Sequence, residues 1–370
     1  MGIKGLNEFL RKKCPDVFQE VHLSEYGFKK VAVDISYYIH RFTHRYSFNG
    51  NEVEDKSRWL NPFIDLIACL RNNEIHCIFV FDTHTNAPQE KSKEREKRTE
   101  QKEKQELQLF ELQIAVDKYY STGEIDPLLI EVSKKRMGNQ PKKLLRVDEN
   151  ILDMKLVEEH LQRLKCYTVK VDEDDFLLAK EMFDILNVPY VQAEGEAEKT
   201  CSTMCVHNQV EAVLSEDTDI MVYETPKFLS KIDTKTNTCV EVDYPKLLEE
   251  LEFTSSQFRD FCIMCGNDYN SNIPKVGPVN AYKLIKQYGS IDEIQKQTKY
   301  NITVLNHIKS RELFTVPPSF ELKVSYCGEP DLEELEKFIF KNNCKVNMDK
   351  VRKSFAPKEM IFVSDEETEE

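Results

Sequence analysis

The stretch Glu211-Ala-Val-Leu-Ser-Glu-Asp-Thr-Asp219 decides the fold class, because a short apolar run passes directly into a group of acids. The same design recurs at three other places: in Val31-Ala-Val-Asp34, in Cys77-Ile-Phe-Val-Phe-Asp82, and in Val188-Pro-Tyr-Val191 followed by Glu194, Glu196 and Glu198. Helical patterns lie between these runs. Continuous apolar strands that alternate with helices are typical of a parallel sheet covered on both faces. The sequence therefore predicts an α/β fold with a mostly parallel central sheet flanked by helices.

The acids at the ends of these runs predict a metal site. Ligands of parallel sheets bind beyond the carboxyl ends of the strands, and all four runs place carboxylates there. Mg²⁺ prefers oxygen ligands, and two such ions roughly 4 Å apart can activate water and stabilise the leaving oxygen of a phosphodiester. The pairs Glu196/Glu198 and Asp217/Asp219, each spaced i, i+2, can lean toward one point. Any single acid would more simply cap a first helical turn, but the whole set favours the metal site.

The net charge of −14 at first disfavours a nucleic-acid partner. Much of the excess, however, lies in the candidate metal cluster and in the last six residues, 365–370, which predict a disordered acidic tail. Two segments are basic, residues 91–104 and residues 133–146. The second contains no acid and holds six cations, Lys134, Lys135, Arg136, Lys142, Lys143 and Arg146. We interpret it as a tether for DNA phosphates, with a nuclear-import signal as the alternative.

The sequence also limits where in the cell the protein is expected. No apolar stretch approaches the roughly 20 residues that cross a bilayer, and the N-terminus lacks a signal-peptide pattern. We therefore expect an intracellular protein with no membrane partner, and we favour the nucleus over the cytoplasm. The eleven cysteines are expected to be reduced and mostly in the core. Cys262-Ile-Met-Cys265 has metal-like spacing, but its apolar neighbours predict a buried helical turn.

Several motifs carry a resemblance to a known family. They are Met1-Gly-Ile-Lys-Gly-Leu6, Phe79-Val-Phe-Asp82, Pro88-Gln-Glu-Lys-Ser92, Glu196-Ala-Glu198, Ser215-Glu-Asp-Thr-Asp219, Cys265-Gly-Asn-Asp-Tyr269, Ala281-Tyr-Lys-Leu-Ile285 and Pro330-Asp-Leu-Glu-Glu-Leu335. The joint presence and the order of these motifs resemble the flap endonuclease branch of the XPG-type 5′ nucleases. The resemblance extends from the N-terminus to about residue 355. The resemblance implies a phosphodiesterase that cuts branched or flapped DNA in replication and repair, leaving 5′-phosphate and 3′-hydroxyl ends.

The resemblance also implies roles for individual residues. Asp34, Asp82, Glu196 and Glu198 would hold one Mg²⁺, and Asp217, Asp219 and Asp268 would hold a second, with Mn²⁺ able to substitute. Lys91 and Arg98 match the family's basic pair, and both fall on one face of a predicted helix, where they would clamp the scissile phosphate. Contacts to DNA would come from Gly2, His40, Lys275 and Gly277.

The same resemblance divides the chain into regions. Residues 1–90 would be an N-terminal nuclease region, residues 91–186 a helical arm inserted between two acid-bearing strands, and residues 187–355 an internal nuclease region. The last of these would include a helix-two-turn-helix module at about residues 258–289, which grips duplex DNA. Residues 356–370 would be the acidic tail.

Five features depart from the family pattern. His40 stands where a base-stacking tyrosine is common, Thr83 replaces a glycine, and Lys275-Val-Gly277 replaces Gly-x-Gly, which weakens the case for a bound monovalent cation. The arm is longer than the family generally needs. The C-terminus lacks a clamp-binding pattern, so recruitment by a sliding clamp is not predicted. We expect a monomer. The alternatives left open are a 5′→3′ exonuclease or junction resolvase, a ribonuclease, and a catalytically idle DNA-binding scaffold.

Overall fold

A seven-stranded sheet forms the centre of the described part of the protein, which comprises residues 2–46, 59–83, 91–137 and 152–356 of a computed structural model. The strands are β1 (Phe18–His22), β2 (Lys30–Asp34), β3 (His76–Phe81), β4 (Tyr190–Gln192), β5 (Ala212–Leu214), β6 (Lys227–Asp233) and β7 (Thr238–Asp243). Their order across the sheet is β1-β7-β6-β5-β2-β3-β4.

The four strands predicted from the acid-terminated runs are neighbours, in the order β5-β2-β3-β4, and all three pairs are parallel. In their register Val33 lies beside both Leu214 and Phe79. β6 adds a further parallel strand beside β5. β7 and β1 then complete the sheet with antiparallel pairs, which the sequence patterns did not predict. The prediction of a mostly parallel sheet is confirmed.

Helices cover both faces of the sheet. They are α1 (Leu6–Lys13), α2 (Ile35–Tyr46), α3 (Leu60–Asn72), α4 (Ser92–Thr122), α5 (Pro127–Met137), α6 (Met154–Thr168), α7 (Glu173–Ile185), α8 (Ala197–Val206), α9 (Asp219–Val222), α10 (Tyr244–Leu251), α11 (Ser255–Cys265), α12 (Pro278–Tyr288), α13 (Ile291–Gln297), α14 (His307–Leu313), α15 (Leu332–Lys341) and α16 (Met348–Phe355). None of these described helices is long and apolar enough to cross a membrane.

The two faces of the sheet belong to two hydrophobic clusters, which explains why its strands read as continuous apolar runs. Val31 and Val33 point into the cluster that α3 and α7 cover, whereas Ala32 between them points into the cluster that α8 and α11 cover. Side chains of a strand alternate between faces, so both sets must be apolar. All eleven cysteines are free thiols and ten are buried, including Cys262 and Cys265 in α11, as expected.

The arm has a small core of its own. Apolar side chains of α4, α5 and α6 pack together there: Leu112, Ala115, Val116, Leu129, Val157, Leu161 and Leu164. The next helix, α7, packs on the sheet instead, where the Phe183 ring stacks on Phe79 with centroids 4.5 Å apart. The structure therefore ends the arm before α7, earlier than the predicted limit at residue 186. In the basic block, Lys134 and Lys135 are exposed on α5, whereas Lys142, Lys143 and Arg146 lie outside the described residues, as does the tail after Ala356.

A buried ion pair ties together the helices at the predicted helix-two-turn-helix module. Arg311 in α14 donates to both carboxylate oxygens of Asp260 in α11, at 2.7 and 2.6 Å. It also donates to Asp292 in α13 at 2.8 Å. The Asp260 side chain is only 4% exposed, and it also accepts from the N–H of Ile291. Asp260 thus holds a buried charge that depends on Arg311.

We expect Arg311→Ala to lower the free energy of unfolding by about 3 kcal/mol, because it leaves the Asp260 carboxylate buried without its cation. Urea unfolding followed by the fluorescence of Trp59, the single and fully buried tryptophan, measures this change. Lys337→Ala is the control, since the Lys337–Glu334 pair is exposed and exposed pairs contribute little. Equal unfolding midpoints for the two variants would show that the buried pair is not structurally important.

Candidate active site

The predicted acids meet at the carboxyl edge of the sheet. Asp34 is the last residue of β2, and Asp82 directly follows β3. Glu196 occupies the N-cap position of α8, and Glu198 lies in the first turn of that helix. The N–H of Ala197 donates to Asp82 Oδ1 at 2.7 Å, which joins the start of α8 to the end of β3. Four of the predicted ligands are thus fixed by backbone elements that the sheet topology brings together.

Serine hydroxyls and backbone amides orient these acids. Ser36 donates from its N–H to Asp34 Oδ1 at 3.1 Å and from its hydroxyl to Asp82. Ser215 donates to Asp34 Oδ2 at 3.3 Å and accepts from the N–H of Asp217 at 3.1 Å. Neither serine was singled out from the sequence as a functional residue. Each lies within two residues of a predicted ligand, which is the signal that would have identified it.

The N-terminal residues close against the loop that carries Asp217 and Asp219. The N–H of Ile3 donates to Thr218 Oγ1 at 2.9 Å. Gly2 has a φ of +82°, and a Cβ there would clash with both aspartates and would come within 2.7 Å of Thr218 Oγ1. Only glycine fits this close approach in the left-handed region. The structure therefore places Gly2 beside the carboxylates, and its predicted contact with DNA stays a prediction.

Burial and mutual repulsion make the acids costly to ionise. Burial, together with the charges of Asp82 and Asp217, raises the pKa of Asp34 to about 7. Burial and the neighbouring carboxylates also raise the pKa of Glu198 and Asp219 well above the ordinary values. The acids acting on Glu198 are Asp34, Asp82, Asp217 and Glu196, whereas those acting on Asp219 are Asp217, Asp268 and Glu196. Cations placed between these carboxylates would offset the repulsion and favour their ionised form.

Two cations of the arm reach this cluster. Lys91, at the start of α4, pairs with Glu196 and lies 3.7 Å from Asp268 Oδ2. Arg98, two turns further along the helix, donates to Asp268 Oδ2 at 2.7 Å. Burial would lower the pKa of Lys91, but the charges of Glu196, Glu198 and Asp268 outweigh it and the pKa is raised. Lys91 therefore stays protonated among these carboxylates.

Tyr269 also belongs to the site. It lies within the motif Cys265-Gly-Asn-Asp-Tyr269, but no role was predicted for it from the sequence. Its buried hydroxyl donates to Glu196 and lies 3.4 Å from the hydroxyl of Tyr223. The Nζ of Lys91 lies 5.3 Å from the centre of its ring. Tyr269 thus contacts both a predicted metal ligand and the predicted catalytic lysine. Its position next to Asp268 was the available signal.

Within the described ranges, no three His, Cys, Asp or Glu side chains are arranged to hold a metal ion as they stand. Three of the acids are contacted by protein groups: Lys91 contacts Glu196 and Asp268, and donors of Ser36 and Ala197 bind Asp82. The donor set is nevertheless the one that a hard divalent cation prefers. In addition, Asp219 Oδ1 is buried without a hydrogen-bond partner among the described residues. The residues present fit such a cation.

The other predicted DNA contacts are spread over separate elements. His40 is exposed on α2, with its ring 6.3 Å from that of His44 and nearly parallel to it. Lys275 is exposed before α12, with a φ of 66°. That left-handed backbone favours glycine, the residue common in the family at this position. Gly277 is the N-cap residue of α12, and nothing would lie within 4 Å of a Cβ there.

Comparison with known proteins agrees with this geometry. Residues 1–105 match the XPG N-terminal domain and residues 187–268 the XPG I-region. A probable RAD2-like endonuclease of Invertebrate iridescent virus 6 is 30% identical over 385 residues, covering 96% of this chain and 92% of that protein. Flap endonuclease 1 of Lodderomyces elongisporus is 30% identical over 362 residues, covering 92% and 83% respectively.

Solved structures show the same fold. The catalytic core of Rad2 in complex with DNA substrate has a TM-score of 0.64 at 18% identity, over 95% of this chain and 98% of that one. Flap endonuclease-1 from Methanococcus jannaschii has a TM-score of 0.58, also at 18% identity, over 92% and 96%. The two domain matches and the extended sequence identity establish that the chain belongs to the XPG family of RAD2-like and flap endonucleases.

Proposed function

We propose that this protein is a metal-dependent, structure-selective endonuclease that hydrolyses DNA at 5′ flaps. One observation carries the proposal: acids from separate strand ends meet at one edge of the sheet, and Lys91 and Arg98 of the arm reach the same cluster. The two relatives named endonucleases support it. A scaffold protein has no need to bury carboxylates that repel one another.

The proposed ligands fall into two overlapping sets. Asp34, Asp82, Glu196 and Glu198 would hold one ion, and Asp217, Asp219 and Asp268 the other. The charge of Glu196 raises the pKa of both Glu198 and Asp219, so Glu196 lies near both sets. Two Mg²⁺ ions bound there would supply a nucleophilic water and stabilisation of the leaving oxygen. Mn²⁺ has the same preference for oxygen ligands and would substitute.

The chain's own cations would act on the substrate phosphate. Lys91 and Arg98 now donate to carboxylates, and the anionic oxygens of a scissile phosphate would compete for the same N–H groups. Because Arg98 is half-exposed, with 52% of its side chain accessible, it can turn toward a strand beneath the arm. Both residues would then stabilise the charge that develops on the phosphate in the transition state.

Duplex DNA would be held elsewhere. The exposed start of α12, with Lys275 and Gly277 before it, offers backbone N–H groups and a cation to one phosphate. Such contacts are independent of base sequence, which suits an enzyme that recognises the form of a junction. The exposed Lys134 and Lys135 of the arm extend the proposed phosphate contacts toward the 5′ strand.

The first test is a panel of labelled substrates in Mg²⁺: a 5′ flap, a nicked duplex, a hairpin and an RNA flap. We expect the 5′ DNA flap to be cut fastest, leaving a 5′-phosphate, and Asp217→Ala to bind the flap but not to cut it. Normal turnover by Asp217→Ala would reject the assignment of the metal site. Faster cleavage of RNA, or of the nicked duplex, would support a ribonuclease or an exonuclease instead.

A second prediction concerns metal binding without turnover. Asp34→Asn keeps the side chain's shape and removes one buried negative charge. In EDTA it should therefore raise the melting temperature above that of the wild type, because repulsion within the cluster falls. Mg²⁺ should raise the melting temperature of the wild type and that of Asp34→Asn by much less. Differential scanning fluorimetry measures both.

Asp349→Asn, an exposed acid in the first turn of α16, is the matched control and should respond to Mg²⁺ as the wild type does. If Mg²⁺ shifts all three proteins equally, the carboxylate cluster is not where the cation binds.

A third prediction separates residues that act in catalysis from residues that bind the DNA. Lys91→Ala and Arg98→Ala should lower the single-turnover rate by at least tenfold with little loss of affinity, because each would act on transition-state charge. Lys275→Ala should weaken binding and reduce the slope of log affinity against log salt by about 0.9, the value for one phosphate contact.

Lys275→Gly is the matched control, because it removes the same charge and also relieves the left-handed backbone. Both Lys275 variants should lose affinity equally, while only Lys275→Gly gains stability. Unchanged affinity and salt slope in both would restrict this loop to a structural role.

A further inference from the structure

A cavity lies at the amino edge of the sheet, opposite the carboxylates. Its volume is about 670 Å³, within the range of small-molecule sites in proteins. It is lined by the segments that enter β2, β5 and β6, including Lys30, Glu211 and Lys227, and by residues 322–326. β2 runs between the two edges, so Lys30 and Asp34 lie roughly 13 Å apart along the strand. The cavity is therefore separate from the proposed active site.

Positive charge is concentrated in this cavity. Its charged lining consists of four lysines, Lys29, Lys30, Lys227 and Lys323, and one acid, Glu211. Lys29 pairs with Glu211 at 3.3 Å. Within the described part of the chain, no carboxylate pairs with any of the other three lysines. On a protein with a net charge of −14, this is a local attraction for anions.

Two aromatic rings stand exposed beside the lysines. Phe28 is 69% exposed and Tyr326 is 59% exposed. Phe28 has a φ of 61° and donates its N–H to Glu74 O at 2.8 Å, so the backbone holds a bulky residue in the left-handed region. The Nζ of Lys30 lies 4.1 Å from the centre of the Tyr326 ring. The rings and the cations thus face the same space.

The wall formed by the segment between α14 and α15 is anchored although it contains neither helix nor strand. Three side chains donate hydrogen bonds to carbonyl oxygens of this segment. His207 donates to Pro317 O at 2.9 Å, Gln209 to Phe320 O at 3.0 Å, and Lys30 to Val324 O at 2.6 Å. The N–H of Cys327 donates to His76 Nδ1 at 3.2 Å. The cavity is therefore a formed feature of the fold.

We propose that this cavity binds a nucleotide, with its phosphate on Lys30, Lys227 and Lys323 and its base against the ring of Phe28 or Tyr326. Lysine binds phosphate as a point charge, and bases stack on aromatic side chains without regard to sequence. A bare anion would use the lysines alone and would leave the ring of Phe28, which is 69% exposed, uncovered. An acidic peptide spreads its charges along a chain and has no base to stack.

The test is calorimetric titration of the full chain with dAMP, in EDTA so that no cleavage occurs. A sugar phosphate without a base, 2-deoxyribose 5-phosphate, is the comparison ligand. We expect dAMP to bind at least fivefold more tightly than the sugar phosphate. Lys227→Glu should weaken both ligands at least tenfold. The double variant Phe28→Gly with Tyr326→Ala should abolish the preference for dAMP, and glycine at residue 28 also suits its backbone.

Two controls locate the binding. Lys345→Glu, an exposed lysine between α15 and α16, should leave both affinities within twofold of the wild type. Lys91→Ala should do the same, which excludes the carboxyl edge of the sheet. A hexamer of dA distinguishes the two sources of a nucleotide when only the binding that Lys227→Glu weakens is compared: tighter binding of dAMP identifies the free ligand, and tighter binding of the hexamer identifies a strand.

Three outcomes would overturn the proposal. These are no saturable binding of dAMP at millimolar concentration, loss of binding in Lys91→Ala but not in Lys227→Glu, and equal affinity of the wild type for dAMP and the sugar phosphate. Equal affinity for the two ligands would show that the cavity binds phosphate without contacting a base. Because the titration involves neither metal nor cleavage, its result is independent of whether the proposed endonuclease activity is correct.

Discussion

Repulsion between buried carboxylates is the constraint on which this structure depends. Asp34, Asp217 and Asp219 are each less than 10% exposed. Burial raises the pKa of each, and the charges of acidic neighbours raise it further. Burying several like charges together is energetically unfavourable, because a buried charge needs a partner of opposite charge. Here the ends of adjacent parallel strands keep them together, and amide and hydroxyl donors fix their directions.

The arm is coupled to this cluster through its first helix. Lys91 stands at the start of α4, which continues for 31 residues, and its ammonium group lies between Glu196 and Asp268. The small hydrophobic core shared by α4, α5 and α6 stiffens the far end of the arm. A strand passing under the arm would therefore meet Lys91 and Arg98 at the same edge as the acids, and any movement of the arm would change the charge balance of the cluster.

The two edges of the sheet carry opposite charge. Acids lie at the ends of strands at the carboxyl edge, whereas Lys30 and Lys227 begin β2 and β6 at the amino edge. The strands keep the two groups apart, so the lysines at the amino edge are not consumed in neutralising the carboxylates. In the described residues the neutralising cations come instead from the arm, which is an insertion between β3 and β4. An acidic protein can in this way present separate anionic and cationic surfaces.

The apolar runs that end in acids determined the parallel centre of the sheet by themselves, since a strand buried on both faces must be apolar at every position. They also placed six of the seven acids at one edge, because parallel strands share a direction; Asp268 was identified from the family motif alone. Local patterns carried no comparable signal for β1, β6 and β7. β6 pairs with β5 and β7, which lie near it in the sequence, whereas β1 pairs with β7 through residues more than 200 positions apart, such as Phe18 with Val242.

Only the tertiary structure decided which groups surround the acids. The contact of Lys91 with Glu196, the hydroxyl of Tyr269 on the same carboxylate and the approach of Gly2 to Asp217 all join distant parts of the chain. Likewise, α7 reads as arm in sequence because it follows a long helical stretch, yet the stacking of Phe183 on Phe79 assigns it to the sheet. Sequence spacing fixes which side chains share one element, whereas packing between elements fixes which side chains meet.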